Sequence, residues 1–402
     1  MRTILHSDLN NFFASVEMVE HAELKSVPMA VCGDETERHG IVLAKNELAK
    51  ALGIKTAMTV WEAQTICPNL VKVPSDMQKY RKYSTVVRKI YEDFTDKIEG
   101  FGIDEAWLDV THSQMLFGGG MEIAKSISER VRKETGLTVS IGVSFNKVFA
   151  KLASDMKKPN GITEISYENY KEVVWKLPVG ELLFVGKHTV PVLNRFNIFT
   201  IGDFARSDSD FIFKHFGKNG FTMHKYANGE DDSPVKNTLD DEEVKSVSNS
   251  TTLSDDFTCF DEIKTTLYEL VESVCFRCIK QGLMYPKTAT IWVRDNELQS
   301  FTRQKKLHRP TVVISEIYKE IAKLLNDNYV WNKPIRSIGV GLTDFEKEEI
   351  RLDGIDDRMT MNKKLYAQDC FSKIKAEQGD GIISNGMVAK KLYKEKEKKK
   401  NE

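Results

Sequence analysis

Ile4-Leu5-His6-Ser7-Asp8-Leu9-Asn10-Asn11-Phe12-Phe13-Ala14-Ser15-Val16-Glu17 sets an acid at the end of a short apolar run, just ahead of a segment with helical spacing. A second run, Gly102-Ile103-Asp104-Glu105-Ala106-Trp107-Leu108-Asp109-Val110, carries two adjacent acids near its start. Both runs have strand character. A carboxylate in such a setting is costly unless something positive compensates it. Oxygen-rich clusters suit Mg²⁺, and two such ions about 4 Å apart can clamp an in-line phosphoryl displacement. Taken singly, each acid would read as a solvated strand-end charge. Strict alternation would send Asp104 and Glu105 to opposite faces. Both reach one site only if the chain turns or bulges there, and Gly100 and Gly102 make such a distortion cheap.

The chain has 402 residues, 41% hydrophobic and 29% charged, enough for about two to four domains with real cores. Its net charge of −1 does not announce a nucleic-acid binder, although a local basic face would suffice for one. The first residues lack the apolar core of a secretory signal, and no run of about 18 apolar residues suggests a membrane span. A cytoplasmic protein without a membrane partner is expected. The cysteines, Cys32, Cys67, Cys259, Cys275, Cys278 and Cys370, are scattered, as reduced thiols are. Cys275-Phe276-Arg277-Cys278 lies inside an expected helix without a second pair at zinc spacing, so it reads as ordinary helix cysteines.

Periodicity predicts strands at 3–8, 27–32 and 40–44, and helices from residue 10, at 47–52, 60–66 and 76–94. A hairpin-like pair at 98–101 and 106–110, a helix at 121–135, a strand at 137–143 and a helix at 147–156 follow. This is an α+β layer, a mixed sheet with helices on one face. Residues 166–230 read as small and all-helical. The stretch after them is acidic and turn-rich, as a linker is. Strands at 245–252, 288–294, 298–305 and 335–342, with helices at 262–281 and 313–326, predict a second sheet with two helices on one face. Residues 358–375 could form one helix. The lysine-rich end from Lys390 reads as a disordered tail.

The stretch from Asp8 to Glu17 resembles the opening motif of the Y-family DNA polymerases, the lesion-bypass group. The block Ile103-Asp104-Glu105-Ala106 with Leu108-Asp109 resembles that family's second signature. A third is Ser144-Phe145-Asn146-Lys147-Val148-Phe149-Ala150-Lys151-Leu152-Ala153-Ser154-Asp155, followed by Lys157-Lys158-Pro159-Asn160-Gly161. The fourth is Lys333-Pro334-Ile335-Arg336-Ser337-Ile338-Gly339-Val340-Gly341-Leu342-Thr343. They stand in family order and spacing over roughly residues 1–345. The resemblance implies a multidomain α+β architecture. Its parts are a palm (1–10 and 74–165), small fingers (11–73), a helical thumb (166–230), a linker (231–244), a little-finger α/β sandwich (245–348) and a C-terminal extension (349–402).

It also implies template-directed, low-fidelity DNA synthesis by two-metal-ion phosphoryl transfer, with primer-template DNA and dNTP as partners and a monomeric enzyme. No separate acidic motif set suggests proofreading. Asp8 and Asp104 would bridge two Mg²⁺ ions (Mn²⁺ is an alternative), and Glu105 would complete the primer-side ion. The Leu9 carbonyl is a further candidate ligand, while Asp109 reads equally well as a surface charge. Phe13 stands where the family has an aromatic steric gate, with Phe12 packing inward and its N–H near the triphosphate. Lys158 matches a triphosphate contact. Lys151 is expected at DNA phosphate. So are Gly186 in the thumb hairpin and Arg303, Lys305, Lys306 and Arg336 in the little finger.

The chain departs from the family in places. The fingers pattern Thr-x-Asn-Tyr-x-x-Arg becomes Ala44-Lys45-Asn46-Glu47-Leu48-Ala49-Lys50, leaving Lys45 and Lys50 as its cations. Lysine is a point charge and cannot make arginine's bidentate fork. Glu47 would repel a triphosphate unless it faces Lys45 or Lys50. Only Gly186 of the thumb's usual glycine pair is evident. The nearest equivalent of a sliding-clamp docking peptide, Ile350-Arg351-Leu352-Asp353-Gly354-Ile355, lacks its Gln and aromatic anchor. Two other readings stay open. One is a different palm-type nucleotidyl transferase. The other is a catalytically weak, polymerase-like DNA-binding or scaffold protein.

Overall fold

The computed structural model describes residues 1–34, 40–237, 244–282, 285–346, and 363, 364, 366–368, 370, 371, 373 and 374. The chain divides into two compact units, one ending at Asp241 and the other beginning at Glu242.

In the first unit, β1 (Ile4–Leu9) leads through Asn11, in the left-handed region at φ 48°, into α1 (Phe12–Glu20). β2 (Met29–Cys32), β3 (Val42–Lys45), α2 (Glu47–Ala51), α3 (Val60–Ile66) and β4 (Val71–Pro74) then build a small lobe. Its sheet runs β3-β2-β4 around its own core of Ala30, Val42, Ala49, Ile54 and Leu70. Buried Asn46 locks this lobe: its side chain caps α2 at Ala49 N–H and donates to the Leu24 and Val27 carbonyls. The β4 strand was not legible, because four residues ending at a proline carry too little pattern.

The chain continues through α4 (Met77–Glu92), β5 (Ile98–Gly100), β6 (Glu105–Asp109), α5 (Gln114–Phe117), α6 (Gly120–Thr135), β7 (Val139–Ser144), α7 (Lys147–Met156) and β8 (Ile162–Ile165). The five-stranded sheet has the order β5-β6-β1-β7-β8. β1 is antiparallel to both β6 and β7, and every one of its residues is buried. Alternation splits it cleanly. Leu5 and Leu9 join the core formed with α1, α4 and α6, and Ser7 accepts a hydrogen bond from Tyr91 of α4. Ile4 and His6 face the other way, packing with Ala150 and Ser154 of α7. The α+β architecture is as expected, but α7 covers the opposite face from α4 and α6. A continuous apolar run on β1 is what a strand covered on both sides needs. Gly142 permits the close approach: a Cβ there would stand 1.9 Å from the Ala150 carbonyl oxygen of α7.

Helices α8 (Tyr170–Val174), α9 (Val190–Arg195), α10 (Ile201–Arg206) and α11 (Ser209–Ala227) complete the unit and share a core with Val148, Phe149 and Leu152 of α7. Residues 231–237, expected as linker, are stitched to this unit. The Asp231 carboxylate accepts from Lys147 N–H, Val235 is buried beside Trp107, and Lys236 N–H donates to Glu99. Composition read this stretch as free because its contacts are made by backbone and short side chains.

The second unit holds β9 (Ser246–Phe257), α12 (Phe260–Lys280), β10 (Tyr285–Asp295), β11 (Ser300–Lys306), α13 (Ile314–Asn328) and β12 (Ile335–Glu346). Its antiparallel sheet, β11-β10-β12-β9, buries Ala289, Ile291, Val293, Ile338, Val340 and Leu342 under both helices. The other face is built of small residues and Trp292, with Ser248, Ser250, Thr290, Gly339 and Gly341 lining a shallow groove. Cys275 and Cys278 are buried in α12, and burial pushes both thiols up, Cys278 to about 12. The segment at 350–355 that comes nearest to a clamp-docking peptide, the lysine-rich tail, and all but a few residues of the expected 358–375 helix lie outside the described residues. Among the described residues no helix is long and apolar enough to cross a membrane.

Candidate active site

Register assembles the carboxylates. Asp8, near the end of β1, lies directly opposite Glu105, the first residue of β6, so their side chains leave the same face of the sheet. Asp104 precedes the strand in a tight turn. Gly102 takes φ +88°, Phe101 N–H donates to the Glu105 carbonyl, and Leu9 N–H donates to the Asp104 carbonyl. The turn anticipated from the glycines therefore frees Asp104 from strand alternation. A cleft of about 250 Å³ is lined by Asp8, Leu9, Asn11, Phe12, Phe13, Leu43, Ala44, Lys45, Thr56, Asp104, Glu105 and Lys158.

Two lysines hold the acids together. Lys158 Nζ is 2.6 Å from Asp8 Oδ2, and Lys151 Nζ is 2.8 Å from Glu105 Oε2 and 3.4 Å from Asp8 Oδ2. Asp155, on the last turn of α7, contacts both ammonium groups, at 2.7 Å to Lys158 and 3.4 Å to Lys151. His6 lies 3.2 Å from Glu105 and, through its other ring nitrogen, 2.8 Å from the Ser154 hydroxyl. Burial raises the Asp8 carboxyl despite Lys158. Burial, with Asp8 and Glu105 adding to it, pushes Asp104 up to about 6. Burial acts the same way on Glu105, but His6 and Lys151 overcome it and hold that carboxyl down at about 2. Two of the acids are thus shifted up and the third down within one cleft, as functional sites often show.

The donor set suits a hard divalent cation, being all oxygen with compensating charge nearby. Among the described residues no three His, Cys, Asp or Glu side chains converge on one point as placed. Lys151 and Lys158 pair with oxygens of Asp8 and Glu105.

Phe12 is buried and Phe13 half-buried at the cleft wall. The Phe13 ring stacks on Tyr80 at 4.2 Å with a 12° interplanar angle. The Tyr80 hydroxyl donates to Glu17, which Lys79 neutralises at 2.9 Å. Lys45 lines the cleft and donates to the Thr56 hydroxyl, whereas Lys50 is not part of the lining. Glu47 accepts a hydrogen bond from Asn11 at 2.8 Å and pairs with Lys50 at 3.5 Å. Lys151, expected at DNA phosphate, pairs with three carboxylates, Asp8, Glu105 and Asp155. Asp109 accepts from Thr111 on the strand's far end, outside the cleft.

Elsewhere in the first unit, Gly186 opens the turn before α9, where its carbonyl accepts from Thr189 and Val190 N–H. Phe184, in the hairpin that lacks its second glycine, occupies the left-handed region at φ 70° and is exposed. In the second unit the basic residues separate by parity. Arg303 and Lys305 stand opposite Ile291 and Ala289, and Lys305 pairs with Glu320 of α13 at 2.6 Å. Lys306 stands opposite Thr288, on the small-residue face. Arg336 is half-buried beside a register shift in β12.

Sequence reasoning missed Tyr80, Thr56, Asn11, Asp155 and His6. The His6 signal, a histidine in an apolar strand two residues before Asp8, was in view.

Residues 7–155 match the impB/mucB/samB family, and residues 244–353 match that family's C-terminal domain. A protein of Acetivibrio thermocellus named DNA polymerase IV is 43% identical over 389 residues, covering 96% of this chain and 97% of its own. The chain belongs to the Y-family DNA polymerases. DNA polymerase IV 2 of Bacillus subtilis is 39% identical over 357 residues, 87% of this chain and 86% of that protein. Among solved structures, a Y-family DNA polymerase chimera is similar with a TM-score of 0.78 and 27% identity, covering 86% of this chain and all of that one.

Proposed function

We propose that this Y-family member is a template-directed DNA polymerase of the translesion type, acting on primer-template DNA and dNTP, whose chemistry is carried by Asp8, Asp104 and Glu105. The observation that carries this is the direct opposition of Asp8 and Glu105 with Asp104 beside them, in a cleft that also holds Phe13, Lys45 and Lys158. The family is divalent-metal dependent, and two Mg²⁺ ions, with Mn²⁺ as a substitute, are the proposed complement. Asp8, Asp104, Glu105 and the Leu9 carbonyl would hold them. When bound, the ions lower the pKa of the primer 3′-hydroxyl and neutralise the triphosphate and the departing pyrophosphate.

The protein's own side chains do the rest. Lys158 and Lys45 meet the triphosphate as point charges, with Lys50 strengthening the local field rather than making contact. The Phe13 ring, braced by Tyr80, fills the space where a ribose 2′-hydroxyl would lie and selects deoxynucleotides. Phe12 anchors the gate from below. Lys151 orders the acids. Lys306, Arg303, Lys305, Arg336 and the Gly186 turn are the proposed phosphate contacts, which position DNA without reading its sequence. Of the basic strand residues, Lys306 is the best placed because Lys305 is already paired.

A scaffold without chemistry would have no need to hold Asp8 and Glu105 against two lysines with a third acid beside them. Primer extension by Asp104→Ala and Glu105→Ala variants, alongside a DNA-binding measurement, tests the assignment. Loss of extension with retained binding supports it, and retained extension refutes it.

A further inference from the structure

Asp8 Oδ2 cannot serve an ammonium group at 2.6 Å and a divalent cation at the same time. Like charges a few ångströms apart repel strongly even when solvent screens them, and more so when one is divalent. Loading of the site therefore requires Lys158 to leave Asp8, and a partly buried ammonium with no second acceptor leaves reluctantly. The structure supplies that acceptor. Asp155 Oδ1 already stands 2.7 Å from Lys158 Nζ, and its Oδ2 stands 3.4 Å from Lys151 Nζ. Asp155 lines no part of the cleft, and its side chain is 39% exposed, the most open of the acids in this network. Its spacing of three residues to Lys158 and four to Lys151 keeps it beside both lysines while they move.

We infer that Asp155 is a positioning residue that receives Lys158 when metal takes Asp8, so that it sets how strongly the lysine competes with the ions and leaves that ammonium poised for triphosphate. This rests on the metal-site reading above. The step is an exchange of ion-pair partners, with no bond made or broken.

The test is direct Mn²⁺ binding, followed by the electron paramagnetic resonance signal of the free ion, with the full chain and no DNA or nucleotide. Asp155→Asn keeps the shape and removes the acceptor. It should weaken Mn²⁺ binding on the order of tenfold, within the coupling range of residues that share partners. Lys158→Met should bind Mn²⁺ more tightly than wild type. In the Lys158→Met background, adding Asp155→Asn should change affinity by no more than about twofold, because the lysine it manages is gone.

Unchanged binding in Asp155→Asn would overturn the inference. So would an equal loss in both backgrounds, which would make Asp155 a mere nearby charge. Wild-type protein whose Mn²⁺ binding is untouched by Glu105→Ala would instead overturn the metal-site reading itself, so the two failures are distinguishable.

Discussion

Asp104→Asn should make the protein more stable while destroying its chemistry. Burial and the neighbouring Asp8 and Glu105 raise the Asp104 carboxyl from 3.8 to about 6. A folded-state value above the unfolded one means that the fold prefers the neutral acid. The penalty for ionised Asp104 is absent below about pH 3.8, grows between there and pH 6, and is complete above. Roughly two units at about 1.4 kcal/mol each set a ceiling near 3 kcal/mol. The carboxyl is only partly buried, and solvent screening brings that down to about 1–2 kcal/mol. Asparagine never ionises and removes the penalty. In metal-free buffer at pH 7 the variant should melt about 2–6 °C above wild type. At pH 4 most of that gain should vanish. Added Mg²⁺ should narrow the gap, since only wild type gains fully from binding it. A variant no more stable at pH 7, or a gain of equal size at pH 4, would refute the electrostatic reasoning.

Other outcomes follow from the same geometry. Glu105→Ala should cost on the order of a thousandfold or more in extension rate with primer-template affinity nearly intact, checked by single-turnover incorporation beside fluorescence anisotropy. Phe13→Ala should raise the kcat/KM for rNTP relative to dNTP; an unchanged ratio would shift the gate to another residue, with Phe12 the next suspect. Lys306→Ala should lower the log–log salt slope of DNA binding by about one unit, and Lys305→Ala by less, because Glu320 already holds Lys305. Equal slopes for both variants would remove the parity argument.

Much of this was legible in the sequence for physical reasons. The apolar runs at β1 and β6 are long enough to declare themselves, and the glycines before Asp104 signalled the turn that a shared site requires. What was hidden depends on partners far apart in the chain. Nothing local says that α7 lies across β1, so Lys151 read as a DNA-phosphate contact and its pairing with Asp8 and Glu105 went unseen. Tyr80 beneath Phe13 is separated from it by 67 residues and looked like any core aromatic of α4. The backbone-mediated attachment of residues 231–237 has no compositional mark. Glu47, a departure that looked harmful to anion binding, has Asn11 and Lys50 as partners, and the Asn11 contact had no mark in the sequence.

The most direct measurement is extension of a primer on an undamaged template in Mg²⁺, with dNTP, by wild type and by the Asp8→Ala variant. Wild type should add nucleotides dictated by the template, and should stop when the metal is chelated. The variant should bind the same DNA and add none. Extension that persists in the variant, or a wild type that binds DNA but extends nothing, would contradict the assignment of polymerase chemistry to this cleft.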